Sequence, residues 1–178
     1  QYFCCLNSRP HDHRIKSVDY LLDNKIDKHG IVTSVHHNML IDGEGSRPND
    51  YNRQIYKDTL INVVTETHYE PVWNKHHHIF LSEKTWKPIV CKQAFIIIGP
   101  QYTLKYLKDL GFKTFGELWD ESYDECNSSK RLYIALNSLY NAINSYSVDD
   151  LSRATLDIRK HNLAHFKNIR QEMIKTCT

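Results

Sequence analysis

The sequence has no long hydrophobic run and no marked excess of charge of either sign. Its longest apolar segments, such as residues 94–98, are far shorter than the roughly 20 residues that a bilayer crossing needs. Basic residues number 23 and acidic residues 21, so the net charge is only +2. These absences argue against a membrane-spanning helix and against a chain-wide electrostatic field for nucleic acid or membrane surfaces.

The N-terminus lacks the features of a secretory signal, because residues 2–6 have no basic leader before them and no small-residue cleavage site after them. The five cysteines are odd in number and scattered. Adjacent Cys4 and Cys5 would point to opposite faces of a strand, so we expect free thiols in a reducing compartment and a cytoplasmic protein. The sequence also begins without a methionine, from which we expect one domain of a longer protein.

The remaining composition is that of one globular domain. The chain has 178 residues, of which 40% are hydrophobic and 25% are charged. Short apolar segments alternate with amphipathic ones, which is typical of a mostly parallel sheet covered by helices on both faces. We therefore predict a Rossmann-like α/β fold for a single domain, residues 1–178, with strands at residues 2–6, 31–35, 59–65 and 94–98 and C-terminal helices at about 130–146 and 149–175.

Glycine and serine mark the predicted ends of three helices. Gly30 is predicted to be the left-handed cap of a first helix, and Gly111 to end a helix over residues 104–110. Ser82 is predicted to cap a helix that begins at Glu83.

Other stretches favour an ordinary structural interpretation. Residues 36–56 are predicted to be mostly loop, and residues 120–125 a solvated acidic loop whose spacing does not fit an EF-hand. The basic residues of the last helix are predicted to form a solvated face. The aromatic residues that we predict to lie in the core are Phe112, Phe115 and Trp119.

The sequence does not favour a metal site. Three consecutive histidines, residues 76–78, cannot all face one ion on regular structure because alternate side chains diverge. A solvated histidine-rich loop is the interpretation we prefer. No Asp-x-Asp motif is present, so we expect neither a metal nor another cofactor.

The segment Ser82-Glu83-Lys84 carries the clearest chemistry. Ligands of parallel sheets bind beyond the carboxyl ends of the strands, where residues 7–14, 66–69 and 82–87 are expected to meet. The free N–H groups of a helix start favour phosphate, to which Lys84 adds a full charge, while Glu83 offers acceptors for a ribose diol. The alternative is an ordinary serine cap followed by a glutamate in the first turn.

The runs Phe80-Leu-Ser-Glu-Lys-Thr-Trp-Lys-Pro-Ile89 and Gln93-Ala-Phe-Ile-Ile-Ile-Gly-Pro100 resemble the donor-binding half of fucosyltransferase-type enzymes. The chain is also similar to short glycosyltransferase-like proteins of tailed phages and other large viruses, through residues 7–14, 104–115 and 119–124. The resemblance implies the donor-binding domain of a GT-B type enzyme, as the C-terminal half of a two-domain protein or as a minimal version of it. It further implies a nucleotide-sugar donor, an acceptor that the sequence does not identify, and a missing N-terminal acceptor domain.

The resemblance also implies roles for individual residues. Glu83 would hold the nucleotide ribose, Lys84 the donor diphosphate, and Arg14, or else Arg9, would neutralise phosphate. Glu66 would match the acidic residue that precedes the Glu-Lys segment, although Thr67-His68 stand where the family has an asparagine, and it is our candidate catalytic residue. The other predicted donor-binding residues are Ser82, Lys87 and Tyr69, of which Tyr69, like Trp86, offers a ring for stacking on a base or sugar.

Two further hypotheses remain at this stage. A non-catalytic sugar- or nucleotide-binding module, or a virion-associated one, would keep the fold without turnover. A metal-dependent nuclease is less favoured because such enzymes need Glu-x-Lys on one strand face, whereas Glu83 and Lys84 are adjacent.

Overall fold

The computed structural model describes residues 1–40, 52–70 and 79–176. Four strands form one parallel sheet in the order β2-β1-β3-β4. The strands are β1 (Phe3–Asn7), β2 (Gly30–Ser34), β3 (Ile61–Thr65) and β4 (Ala94–Ile98). The helices are α1 (Asp12–Asp23), α2 (Arg53–Asp58), α3 (Glu83–Val90), α4 (Thr103–Asp109), α5 (Ser128–Ser145) and α6 (Val148–Thr176). The predicted Rossmann-like α/β fold with C-terminal helices is confirmed.

Both faces of the sheet are covered. Every residue of β3 and β4 is buried, as expected when helices pack on both sides of a parallel sheet. Cys4 packs with Ile55 and Tyr56 on one face, whereas Cys5 belongs to the main core on the other. The opposite orientation predicted for these thiols is therefore confirmed. None of the four described cysteines is joined in a disulfide, and Cys177 lies outside the described residues.

Helix α2 occupies the end of the stretch, residues 36–56, that was predicted to be mostly loop, and the prediction did not include this helix. Its cap is Asn52, whose side chain accepts a hydrogen bond from the backbone N–H of Gln54 at 3.0 Å. The helix contributes Ile55 and Tyr56 to the face of the sheet that carries Cys4. Residues 36–40 form a turn closed by a single β-bridge, and residues 41–51 of the predicted stretch lie outside the described residues.

The prediction of a left-handed cap at Gly30 is wrong. Helix α1 already ends at Asp23, and Gly30 is extended (φ −148°) as the first residue of β2. A Cβ at this position would lie 2.4 Å from the ring of Phe3, so glycine is required for close approach of two strands. Gly111, in contrast, has φ +90° just after α4, as predicted.

The acidic segment at residues 120–125 is not a solvated loop. Residues Ser122–Glu125 form a 3₁₀ turn in which Tyr123 and Asp124 are buried. The Asp124 carboxylate accepts hydrogen bonds from the backbone N–H groups of Leu104 (2.7 Å) and Lys105 (2.9 Å), and so caps α4 from a distant part of the chain. Burial raises the pKa of Asp124.

Helix α6 packs against α3, and its basic residues do not all face solvent. Trp86 of α3 contacts Phe166 of α6 and Phe112. Arg159 donates hydrogen bonds to the carbonyls of Lys92 (2.9 Å) and Ser152 (2.8 Å), so the prediction of a purely solvated basic face is wrong at that residue. The predicted core positions of Phe112, Phe115 and Trp119 are confirmed. None of the helices in the described ranges has both the length and the apolar character that a bilayer crossing requires.

Candidate functional site

The three segments predicted to meet at the carboxyl edge of the sheet do meet there. Arg14, in the first turn of α1, donates to the carbonyls of Thr65 (3.3 Å) and Glu66 (3.2 Å), which end β3. The ring Nε2 of His13 lies 2.8 Å from the same Glu66 carbonyl. Ser82, the cap of α3, bonds to the Glu66 side chain. The parallel topology thus joins the ends of β1 and β3 to the start of α3.

Glu66 is fully buried and its carboxylate connects β3 to α3. It accepts hydrogen bonds from the hydroxyls of Ser82 and Thr85, both at 2.6 Å, and from the backbone N–H groups of Thr67 (3.0 Å) and Ser82 (3.2 Å). Both oxygens are engaged by these donors, so this geometry gives Glu66 a positioning role. A catalytic role for Glu66 stays a prediction.

Arg14 places a buried positive charge behind the site. The residue is 3% exposed, and its Nε has no hydrogen-bond partner in the described part of the chain. Burial lowers the pKa of Arg14, while the nearby charges of Glu66 and Glu83 act to raise it. Because an unsatisfied buried donor is costly, an anion placed beside this guanidinium would stabilise it.

The start of α3 has the capping geometry predicted from sequence. The Ser82 hydroxyl accepts from the backbone N–H of Lys84 at 3.3 Å. The Lys84 ammonium donates to the Glu83 carboxylate (2.8 Å) and to the Thr67 hydroxyl (3.2 Å). Partial burial acts to raise the pKa of Glu83, but the hydrogen bond from Lys84 and the charge of Lys87, among other contributions, lower it overall. Both partners of the ion pair remain accessible, with side-chain exposures of 45% for Glu83 and 26% for Lys84.

An exposed imidazole, His11, lies close to basic side chains from all three segments. Its pKa is lowered first by partial burial and then by the charges of Arg14, Arg9, His68 and Lys84. Of these groups Arg9 and His68 are exposed. This concentration of basic groups around one point favours a bound anion.

Tyr69 is fixed beside this cluster by helix α5. Its hydroxyl donates to the carbonyl of Ser128 at 2.5 Å and accepts from the N–H of Leu132 at 3.1 Å. Arg131 donates to the carbonyls of Tyr69 (3.0 Å) and Gly99 (2.7 Å), and its guanidinium carbon lies 4.7 Å from the centre of the Tyr69 ring. Burial raises the pKa of the Tyr69 hydroxyl.

Sequence reasoning missed Arg131, a second arginine beneath the same edge. The residue is 2% exposed, and its Nε also lacks a partner among the described residues. The signal for it was its position on the buried face of α5, next to Leu132 and four residues before Ala135. An arginine at such a position is buried only when it has a polar role.

Trp86 does not join the site. Its ring, on α3, packs against Phe166 of α6 and against Phe112. Trp86 is therefore placed as a core residue and not as a stacking surface for a ligand. The histidines at residues 76–78 lie outside the described residues. Within the described ranges, no three His, Cys, Asp or Glu side chains form a group that could hold a metal ion.

No protein-family model matches the chain, and no curated protein or solved structure matches it significantly.

Proposed function

We propose that the carboxyl edge binds the diphosphate of a nucleotide-sugar and that this chain is the donor-binding domain of a glycosyltransferase. The observation that carries the proposal is a pair of cations held at consecutive residues after β3. The buried Arg14 guanidinium, with an unpartnered Nε, donates to the Glu66 carbonyl, and the accessible ammonium of Lys84, in the first turn of α3, donates to the Thr67 hydroxyl. A diphosphate needs several donors and positive charges within a short distance.

Each residue of the site has a distinct role in this proposal. Lys84 and the first turn of α3 contact the diphosphate, while Arg14 supplies charge from beneath. When the ligand binds, Glu83 gives up its ion pair with Lys84 and accepts hydrogen bonds from the ribose hydroxyls. Arg9 and Lys87 add long-range attraction, and Ser82 keeps its bonds to Glu66 and to the Lys84 backbone, so that the start of α3 stays in place.

The chemistry of glycosyl transfer fits this arrangement. The bond between the anomeric carbon and the diphosphate oxygen breaks, and the electron pair leaves with the nucleoside diphosphate. A nucleophilic group of the acceptor forms the new bond to the anomeric carbon and gives up its proton to solvent. Negative charge therefore grows on the leaving group, where fixed donors and cations lower the barrier. Lys84 and the α3 start act on that charge directly, and Arg14 acts from its buried position.

A thermal-shift screen tests the proposal. GDP, UDP, ADP and CDP at millimolar concentration are compared, and a ligand at 100 times its Kd is expected to stabilise the protein by about 2.7 kcal/mol, or roughly 5–10 °C in Tm. Glu83→Ala and Lys84→Ala are expected to abolish the shift. Lys167→Ala, an exposed lysine of α6, is the matched control and keeps it. Absence of a shift with all four nucleotides contradicts the proposal.

A second candidate is a binding module without turnover. The observation in its favour is that the one fully buried carboxylate of the site, Glu66, is engaged by α3 and not directed at a substrate. Measurement of nucleoside diphosphate released from a nucleotide-sugar separates the two candidates. Release at a rate above that of buffer alone supports the transferase, and binding without release supports the module.

A further inference from the structure

Three aromatic rings form a column at the carboxyl edge. The rings of His13 and Tyr69 are nearly parallel, with 9° between their planes and 5.2 Å between their centroids. His11 continues the column above His13 at 19° and 6.0 Å. The column therefore runs from the α5 side of the molecule to the turn that follows β1.

The inner end of this column is closed. The Arg131 guanidinium lies against the Tyr69 ring, and the Tyr69 hydroxyl is held by Ser128 and Leu132. His13 is buried, and its Nε2 is held by the Glu66 carbonyl. These contacts fix the planes of two rings before any ligand arrives, so stacking on them costs little ordering entropy.

The outer end of the column is open. His11 is exposed and is the residue that precedes α1. Its backbone is fixed because its carbonyl accepts hydrogen bonds from the backbone N–H groups of Arg14 (2.9 Å) and Ile15 (3.0 Å). Its imidazole lies close enough to Arg14 and Lys84 for their charges to lower its pKa. An exposed ring beside the proposed phosphate site can accept a second planar group on its outer face.

We propose that His11 is the stacking platform for the base of the nucleotide, so that the ligand is a nucleoside diphosphate and purines bind more tightly than pyrimidines. The inference rests on the proposed function, because it needs the diphosphate at Lys84 to bring the base to His11. Stacking on an aromatic ring does not require one particular base, since every base has a planar face. A purine is larger than a pyrimidine and therefore overlaps more of the column.

Calorimetric titrations at pH 8, above the ordinary imidazole pKa of about 6.5, separate stacking from charge. Inorganic pyrophosphate, ADP, GDP and UDP are compared on the wild type and on His11→Ala and His11→Phe. We expect His11→Ala to weaken ADP and GDP binding by about 5- to 100-fold and UDP binding by less, with pyrophosphate binding unchanged. His11→Phe keeps a ring and is expected to retain the affinity. His29→Ala removes an exposed histidine that lies just before the amino end of β2, and serves as the matched control.

The remaining outcomes separate the two proposals. Equal binding of pyrophosphate and nucleoside diphosphates, unaffected by His11→Ala, overturns the stacking platform and leaves the diphosphate site intact. An equal loss of affinity for pyrophosphate and ADP in His11→Ala also overturns it, because His11 would then act on the phosphate. Binding of neither compound to the wild type contradicts the proposed function itself.

Discussion

At the scale of single residues, the Glu66 carboxylate determines how the site is held together. Four donors from three residues converge on it, and two of these residues, Ser82 and Thr85, belong to the start of α3. The residue is fully buried, so these bonds replace its hydration. The position of Lys84 relative to Arg14 depends on this attachment.

Glu66→Gln is expected to destabilise the protein by about 2–3 kcal/mol. The glutamine keeps one acceptor oxygen but presents an NH₂ donor to hydroxyl and N–H donors, which leaves buried groups unpaired. Urea unfolding gives the free energy. Glu117→Gln, at an exposed glutamate, is the control and is expected to change it by less than about 0.5 kcal/mol. Equal effects of the two substitutions would contradict the positioning role.

His13 makes the stability depend on pH. Burial lowers its pKa from 6.5 to about 4, against the opposing effect of its bond to the Glu66 carbonyl. Between these two values the unfolded chain binds more protons than the folded one, so the contribution of His13 is present above pH 6.5 and is lost as pH falls towards 4. The stability difference between wild type and His13→Asn is expected to shrink by on the order of 3 kcal/mol across this window. A difference that stays constant from pH 7 to pH 4 would show that His13 is not buried as a neutral ring.

At the scale of elements, the contact between β1 and β2 depends on a glycine. Phe3 pairs with Gly30 in the parallel register, and the Phe3 ring and carbonyl both lie within 2.6 Å of the place where a Cβ would be. A side chain there would push the edge strand β2 away from β1. Glycine is needed at this position because it has no side chain, and not because of its φ, which is an ordinary extended value of −148°.

Gly30→Ala is expected to destabilise the domain by about 1–3 kcal/mol, the usual cost of overpacking. Gly116→Ala is the matched control, because its Cβ would meet only the end of the Glu121 side chain, at 3.1 Å. Thermal unfolding of the two variants gives the comparison. A larger loss for Gly116→Ala than for Gly30→Ala would contradict this account of the sheet.

At the scale of the whole molecule, the fold could be predicted from local sequence patterns, whereas the site could be predicted only in part. The run of apolar residues at β4 and the serine at position 82 predicted an element and a cap that the structure has. Parallel topology then placed Arg14, Glu66 and Lys84 at one edge. These inferences need only periodicity and chain order.

Other features depend on contacts between distant parts of the chain, which local patterns do not contain. Asp124 caps α4 from a position 20 residues after Leu104. Arg131 reaches the carbonyls of Tyr69 and Gly99 only because α5 packs against β4. The engagement of Glu66 similarly requires the orientation of α3. Tertiary packing thereby buries an acidic or basic residue that local sequence patterns predict to be solvated.

The most direct measurement of the central claim is a crystal structure with a bound nucleoside diphosphate. The account predicts the phosphates in contact with the Lys84 ammonium and the first turn of α3, with the Arg14 guanidinium behind them and the Glu83–Lys84 ion pair opened. Phosphates bound at another face, with Glu83 and Lys84 still paired to each other, would contradict it.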